Sequence, residues 1–202
     1  AHAYGGAIAV AANATVLVDF VTMVDNQAQG GNTELSEGGG VTGAGEGHGG
    51  AIYTASSTLT VRNTIFINSR QSTGVVTASN EPDIDGNFID GGGNLFNSPT
   101  TSVEAVQKAS NGTFVYPINK TSPAYNQAAA VDTVTRDQRN VARPRPNAME
   151  GTGYDIGAYQ LGVWTVVADD KTRPYNTENP ELTYYILDPD GEVVTSTISG
   201  MP

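Results

Sequence analysis

Residues 4–8, YGGAI, recur as residues 48–52, HGGAI, and this repeat decides the predicted fold. In both copies the motif leads through small residues rich in Ala, Ser and Asn into two short stretches of apolar side chains. Within each segment the copies align without gaps, so that Val16 matches Leu59 and Val18 matches Val61. The matched segments are 4–8 with 48–52, 15–19 with 58–62, and 22–26 with 65–69.

A repeat of short strands separated by small polar corners predicts an all-β solenoid. One such unit cannot bury its apolar face alone, whereas stacking on copies of itself buries that face as a continuous core. Stacking directs matched side chains inward as columns: Ile8 with Ile52, Val16 with Leu59, and Val18 with Val61. Residues 1–100 are therefore predicted to form the coils of a parallel β-helix.

Other segments carry local predictions. Residues 29–46 are rich in Gly, Asn, Thr and Glu, and form either one more coil with degenerate corners or a long projecting loop with some β character. Residues 74–76 are predicted to be a short strand, and residues 102–109 are the best helical candidate.

Asn side chains at the corners are predicted to hydrogen-bond up and down the stack: Asn26, Asn63, Asn68 and Asn94.

Composition excludes several classes of protein. The 202 residues include no cysteine, which removes disulfides, thiolate nucleophiles and cysteine-ligated zinc. The formal net charge of −11 argues against nucleic-acid binding, and no apolar run is long enough to span a membrane. A hydrophobic content of 38% is sufficient for a folded core. The chain begins at Ala1 without Met or a signal peptide, so we expect a processed protein or a fragment.

The GGAI units resemble the coils of right-handed parallel β-helices in bacterial surface proteins, and the resemblance implies a right-handed solenoid. Later motifs are similar to those of the "choice-of-anchor Q" domain family: residues 83–88 (DIDGNF) with 91–96 (GGGNLF), 122–126 (SPAYN), 137–144 (DQRNVARP) and 154–160 (YDIGAYQ). The family usually has an acidic residue where Asn126 stands and Glu where Gln160 stands. These departures concern local ion pairs and not the fold.

Residues 101–162 are predicted to be an irregular segment that caps the solenoid. A solenoid needs a cap because its last coil otherwise exposes an open stack. The charged residues of this segment are interpreted as structural, with arginines that reach carbonyls or carboxylates of the last coil: Asp137, Arg139, Arg143, Arg145 and Asp155.

Residues 163–202 look like the opening of an MBG-type module, a small β module often found in tandem in bacterial adhesin-like proteins. Only about half of such a module is present, and half a module leaves strand edges unpaired. We therefore expect this tail to pair with the continuing chain or with a like subunit. The residues predicted to make that contact are Trp164, Val166, Tyr175, Leu182, Tyr184 and Tyr185.

Candidate metal ligands are few. Asp83, Asp85 and Asp90 form the one carboxylate cluster on a predicted coil. Because calcium prefers carboxylate oxygens, these three are the candidate ligands of a structural calcium ion, and no other cofactor is predicted. His2 and His48 are far apart in the sequence and lack a ligand pattern, so no metal site is predicted for them and His48 is expected at an exposed corner.

The predicted surface is rich in Thr, Ser and Asn and poor in charge, which suits extended contact with glycans or other proteins. We predict a non-enzymatic, extracellular, structural or adhesive protein of the bacterial cell surface, without catalytic residues. In one version it is a filament subunit whose tail pairs with a neighbour. The alternative is a β-helix that binds or cleaves polysaccharide. Cleavage needs three carboxylates, or two with an Arg or Lys, converging in a groove.

Overall fold

The computed structural model describes residues 1–35, 41–72, 83–146, 151–188 and 193–194. Within these residues the chain forms short strands arranged in three stacked coils. The first coil contains β1 Ala3–Tyr4, β2 Ile8–Val10, β3 Thr15–Asp19, β4 Thr22–Val24 and β5 Gln27–Gln29. An insertion follows with β6 Glu34–Leu35 and β7 Val41–Thr42. The second coil contains β8 Gly47–His48, β9 Ile52–Thr54, β10 Thr58–Arg62, β11 Ile65–Ile67 and β12 Arg70–Ser72. The third coil contains β13 Ile84–Asp85, β14 Ile89–Asp90 and β15 Leu95–Ser98.

Parallel sheets run along the stack. Three of them take one strand from each coil: β2–β9–β13, β3–β10–β14 and β4–β11–β15. The pairs β1–β8 and β5–β12 join the first two coils. The register follows the sequence repeat, with Ile8 beside Ile52, Val16 beside Leu59, and Val18 beside Val61. The predicted all-β parallel solenoid is therefore confirmed.

The matched columns form the core of the coils. Ile52, Leu59 and Val61 of the second coil are at most 1% exposed, because a coil covers them on each side. Ile8 and Val16 of the first coil are only partly buried, since one side of that coil lacks a neighbour. Burying a side chain of this size stabilises a fold by about 1.5–3 kcal/mol.

The paired glycines of the repeat are needed where each coil starts. Gly5 and Gly49 have φ values of 65° and 67°, and a Cβ on either would lie 2.0 Å from a carbonyl oxygen. A Cβ on Gly6 would lie 2.5 Å from the amide nitrogen of Gln27, and Gly50 repeats this close approach at β12. Because these glycines have no Cβ, the backbone of the motif passes in direct contact with the backbone of β5 and β12.

The insertion between the first two coils is a hairpin. β6 and β7 pair with each other in antiparallel fashion, with Glu34 opposite Thr42. At the base, the amide of Gly45 donates to the carbonyl of Gly31 at 2.8 Å. The β character expected for residues 29–46 is present, and among the described residues β6 and β7 pair with each other and not with a coil strand, which favours the loop over an additional coil.

The helix predicted at residues 102–109 is wrong. A 3₁₀ turn, Thr100–Ser102, is followed by β16 Gln107–Lys108, which pairs in antiparallel fashion with β17 Phe114–Val115. A helix of this length is marginal without packing, and Val106 is 51% exposed. The strand predicted at residues 74–76 lies outside the described residues.

Corner asparagines bond across the coils, as predicted, although their partners are not other asparagines. The Asn63 and Asn68 side chains donate to Asp19 and Asp25 of the first coil. Asn94 of the third coil accepts a hydrogen bond from the amide of Thr64 in the second. Asn26 uses its backbone carbonyl, which accepts from the amide of Arg70.

The described part of residues 101–162 packs along one side of the stack. Ile118, Ala124 and Ile156 of this segment share a second apolar core with residues from every coil: Phe20, Ile65, Ile67 and Leu95. The segment therefore covers the side formed by β4, β11 and β15 and is not confined to the last coil. A hairpin follows it, formed by β18 Thr165–Ala168 and β19 Tyr184–Leu187. The described residues include no helix with the length and hydropathy of a membrane-spanning segment.

Candidate functional site

Stacking of the first two coils assembles a cluster that the sequence separates. β1 and β8 pair in parallel with Tyr4 beside His48. The same register places His2 beside Glu46, where the Glu46 amide donates to Nδ1 of His2 at 3.1 Å. The two histidine rings lie 5.9 Å apart between centroids. The exposed-corner prediction for His48 therefore missed its neighbours, because sequence distance says nothing about which residues stack.

Aromatic rings hold this cluster in place. The Tyr4 and His48 rings stack with centroids 5.2 Å apart and planes 11° apart. The Tyr53 ring lies 4.7 Å from that of Tyr4 and 6.0 Å from that of His48. We call His2, Tyr4, His48 and Tyr53 the aromatic–histidine patch. Tyr4 is 47% exposed, so the patch is open to solvent.

Two carboxylates flank His48 from opposite sides. Oδ2 of Asp85, in the third coil, lies 2.9 Å from Nδ1 of the imidazole. Oε2 of Glu46 lies 3.6 Å from Nε2, which is too long for a hydrogen bond. One ligand atom from each of His2, Glu46 and His48 lies within 4.8 Å of the other two. The aligned repeat begins at Tyr4 and His48, so it left out His2 and Glu46, and it gave no sign that Asp85 of the third coil lies beside His48.

The structure does not bring the three predicted calcium ligands together, because each carboxylate has a partner of its own. Asp83 is buried, and its Oδ2 accepts from the Asn97 amide at 2.6 Å. Asp85 faces His48, and Asp90 accepts from the Gly92 amide and the Asn94 side chain at 2.9 and 2.6 Å. Burial raises the pKa of Asp83. Alternation along β13 and β14 therefore does not bring these three side chains together, and the calcium ion stays a prediction.

A second cluster joins the charged residues of the irregular segment. Arg139 donates to Oδ2 of Asp137 through Nε and Nη2 at 3.0 and 2.8 Å. Arg145 donates to Oδ1 of Asp155 at 2.8 Å. Arg143 donates to the carbonyls of Asp155 and Gly157 at 2.8 and 2.6 Å. All three arginines are at most 8% exposed.

Burial lowers the pKa of Arg143 to about 10, while Asp137 and Asp155 oppose the shift. Its guanidinium lies 4.3 Å from the centroid of the Phe20 ring, which belongs to the first coil. The arginines thus bind backbone and carboxylates within residues 137–161, and Arg143 also touches the solenoid. The expected contact of these arginines with carbonyls and carboxylates is present, but the bonded groups belong to the segment itself and not to the last coil. Their arrangement holds chain segments together and leaves no converging free carboxylates.

Part of the tail forms a small sheet of its own, and Trp164, Tyr175 and Leu182 lie outside its strands. β18 and β19 pair from Thr165 with Leu187 to Ala168 with Tyr184, and Leu187 bridges to Val193. Within the described part of the chain, these strands pair with each other and with no coil strand. The predicted contact residues are largely exposed: Trp164 60%, Val166 60%, Tyr175 96%, Leu182 82%, Tyr184 53% and Tyr185 39%.

Comparison of the chain with protein-family models, curated proteins and solved structures finds no match.

Proposed function

We propose that this chain is a non-enzymatic structural and adhesive β-solenoid of the bacterial cell surface, and that its tail pairs with a like subunit. The proposal includes the resemblance of roughly residues 49–162 to "choice-of-anchor Q" domains and of residues 163–202 to an MBG-type module. The observation that carries it is the exposed β18–β19 sheet, which stands apart from the coil sheets.

The outer edge of β18 is the surface that supports association. β19 lies between β18 and the bridge at Val193, so β18 is the edge strand within the described residues. Residues 165–168 carry no charge and no proline, the features with which proteins usually block edge pairing. Because residues 165–168 are uncharged and include β-branched side chains, β18 of a second subunit can pair with this edge.

The sheet also needs a partner for its own stability. Trp164 and Val166 are each 60% exposed, so the sheet has little apolar surface buried on its β18 side. A sheet of two or three strands without a covered apolar face is marginal in water. Pairing with a neighbouring subunit would extend the sheet and bury this surface.

Sedimentation velocity of the full chain over a concentration series tests the proposal. We expect concentration-dependent association, which Val166→Lys abolishes because it places a charge on the edge strand. Val166→Thr keeps the β-branched shape without charge and is expected to associate like the parent chain. Val106→Lys changes a similarly exposed valine, 51% against 60%, that lies outside the strands and outside the tail, and is expected to leave association intact. A chain that stays monomeric at every concentration contradicts pairing with a like subunit.

The alternative proposal, a β-helix that binds or cleaves polysaccharide, receives less support. Its catalytic form depended on the convergence of Asp83, Asp85 and Asp90, and these carboxylates point to three different partners. The solvent-open coil surface, with its exposed Tyr4, supports adhesive contact instead.

A further inference from the structure

We propose that His2, Glu46 and His48 bind a divalent transition metal of the zinc type, and that Asp85 orients His48 for this role. The site joins all three coils: His2 belongs to the first, Glu46 and His48 to the second, and Asp85 to the third. It involves none of the tail residues, so it is independent of the proposed subunit pairing.

The spacing of the donor atoms fits a tetrahedral ion. With zinc–ligand distances of about 2.0–2.2 Å, two ligand atoms of a tetrahedral site lie about 3.4 Å apart. Nε2 of His48 and Oε2 of Glu46 are 3.6 Å apart, which is long for a direct hydrogen bond and close to this ligand separation. With the His2 donor also within 4.8 Å, small side-chain movements complete the set.

Asp85 determines which nitrogen of His48 is available. When Nδ1 of a neutral imidazole donates to a carboxylate, the lone pair resides on Nε2. The Asp85 carboxylate at 2.9 Å from Nδ1 therefore directs the Nε2 lone pair of His48 toward Glu46. A carboxylate behind a metal-binding histidine is a common device that fixes the tautomer and raises the basicity of the ligand. The stacked Tyr4 ring further restricts the imidazole.

His2 is the ligand that changes most on binding. Its Nδ1 accepts the Glu46 amide at 3.1 Å in an exposed position. In one route the metal binds Nδ1 directly, and the Glu46 amide then hydrogen-bonds to water instead. In the other route the exposed ring rotates and the metal binds Nε2. Both routes keep His2 within reach of the other two donors.

The donor set selects the metal. Two imidazole nitrogens and one carboxylate suit zinc and its transition-metal neighbours, whereas calcium and magnesium prefer sites made of oxygen alone. Three protein ligands leave a fourth position open to water or to a donor from a partner. A bound ion would bridge the first two coils next to the base of the insertion.

Isothermal titration of the full chain with zinc chloride tests this inference. We expect one saturable site in the micromolar range and no saturable heat with calcium chloride. His2→Ala and His48→Ala are each expected to weaken zinc binding at least tenfold. Asp85→Asn is expected to weaken it by about 10–100-fold, because the amide no longer holds the Nδ1 proton in place. Asp90→Asn serves as the matched control and is expected to bind zinc like the parent chain.

Circular dichroism melts separate loss of the site from loss of the fold. His2 lies outside the strands, so His2→Ala is expected to keep the melting temperature of the metal-free parent chain. Zinc should raise the melting temperature of the parent chain and of Asp90→Asn, but not that of folded His2→Ala. Absence of saturable zinc binding, or equal affinity in the histidine variants, overturns the proposal. Unchanged affinity in Asp85→Asn overturns the orienting role of Asp85.

Discussion

The side chain of Asn63 pairs with the backbone of Ala129 as one strand pairs with another. Its Oδ1 accepts from the Ala129 amide at 2.7 Å and its Nδ2 donates to the Ala129 carbonyl at 3.2 Å. The Asn63 carbonyl also accepts from the amide of Gly157 at 2.8 Å. One fully buried corner residue of the second coil thus bonds the irregular segment at two points.

Asn63→Ala is expected to lower the free energy of unfolding by about 2–4 kcal/mol. It leaves the amide and carbonyl of Ala129 without these partners. It also places Ala at a φ of 50°, a left-handed conformation that Asn tolerates better. Urea denaturation measures the loss. Asn13→Ala introduces the same backbone strain at an exposed corner with φ of 63°, and is expected to cost about 1 kcal/mol. Equal losses in the two variants would mean that the pairing with Ala129 adds nothing.

Asp155→Asn is expected to destabilise the protein by about 3–5 kcal/mol, because it removes the buried charge opposite Arg145. The carboxylate, 0% exposed, accepts from Arg145, from the amides of Asn126 and Leu161, and from the Gln160 side chain. The amide side chain carries an NH₂ group where Asp155 has its second oxygen. This group is a donor, and it would face the N–H groups that donate to the carboxylate. Thermal and urea unfolding measure the effect, with Asp132→Asn as the control on the exposed surface of the same segment. A change no larger than that of the control would contradict the structural role of Asp155.

Gln160→Glu is expected to cost about 2–4 kcal/mol at pH 7. The Gln160 amide nitrogen donates to Oδ2 of Asp155 at 2.9 Å and to the Gly153 carbonyl at 3.1 Å. A carboxylate there meets two acceptors, so its folded pKa would lie above its unfolded value. Its cost is present above the folded pKa and falls as the pH drops through that value. Unfolding measured from pH 7 to pH 4 checks this, and a variant as stable as the parent chain at pH 7 refutes it.

Asp83→Asn is expected to raise stability at neutral pH. Burial raises the folded pKa of Asp83 above its usual value, so its ionised form weakens the fold. Because the folded pKa is the higher one, this cost is present at pH 7 and disappears as the pH falls toward the unfolded value. The stability difference between Asp83→Asn and the parent chain should therefore be positive at pH 7 and shrink toward pH 4. A difference that is independent of pH over this range contradicts the assignment.

The coil register was predictable because the repeat is local and regular. Matching 4–8 with 48–52 and 15–19 with 58–62 placed Val16 beside Leu59 and Val18 beside Val61, as the structure has them. A one-residue slip would turn the apolar faces outward, so burial alone selects this pairing. The glycine pairs were also informative, because only a residue without Cβ fits where the chain crosses β5 and β12.

The partners of the charged residues were much less predictable. Asp83, Asp85 and Asp90 are close in the sequence but point to an amide, a histidine and a turn, since each lies on a different part of its coil. The arginines were expected to bond the last coil, yet Arg143 and Arg145 bind residues of their own segment. A charged side chain has many acceptors within reach, and sequence patterns do not rank them.

The sequence by itself determined the repeated coil, its parallel stacking and the apolar columns inside it. The reason is that a repeated unit with one apolar face buries that face by stacking on its copies. Tertiary structure alone decided that residues 101–162 lie along the side of the stack, where Asn63 bonds Ala129. It also decided that His2, Glu46 and His48 meet beside Asp85. These contacts join residues far apart in the chain, and only the stacking of one coil on the next brings them within bonding distance.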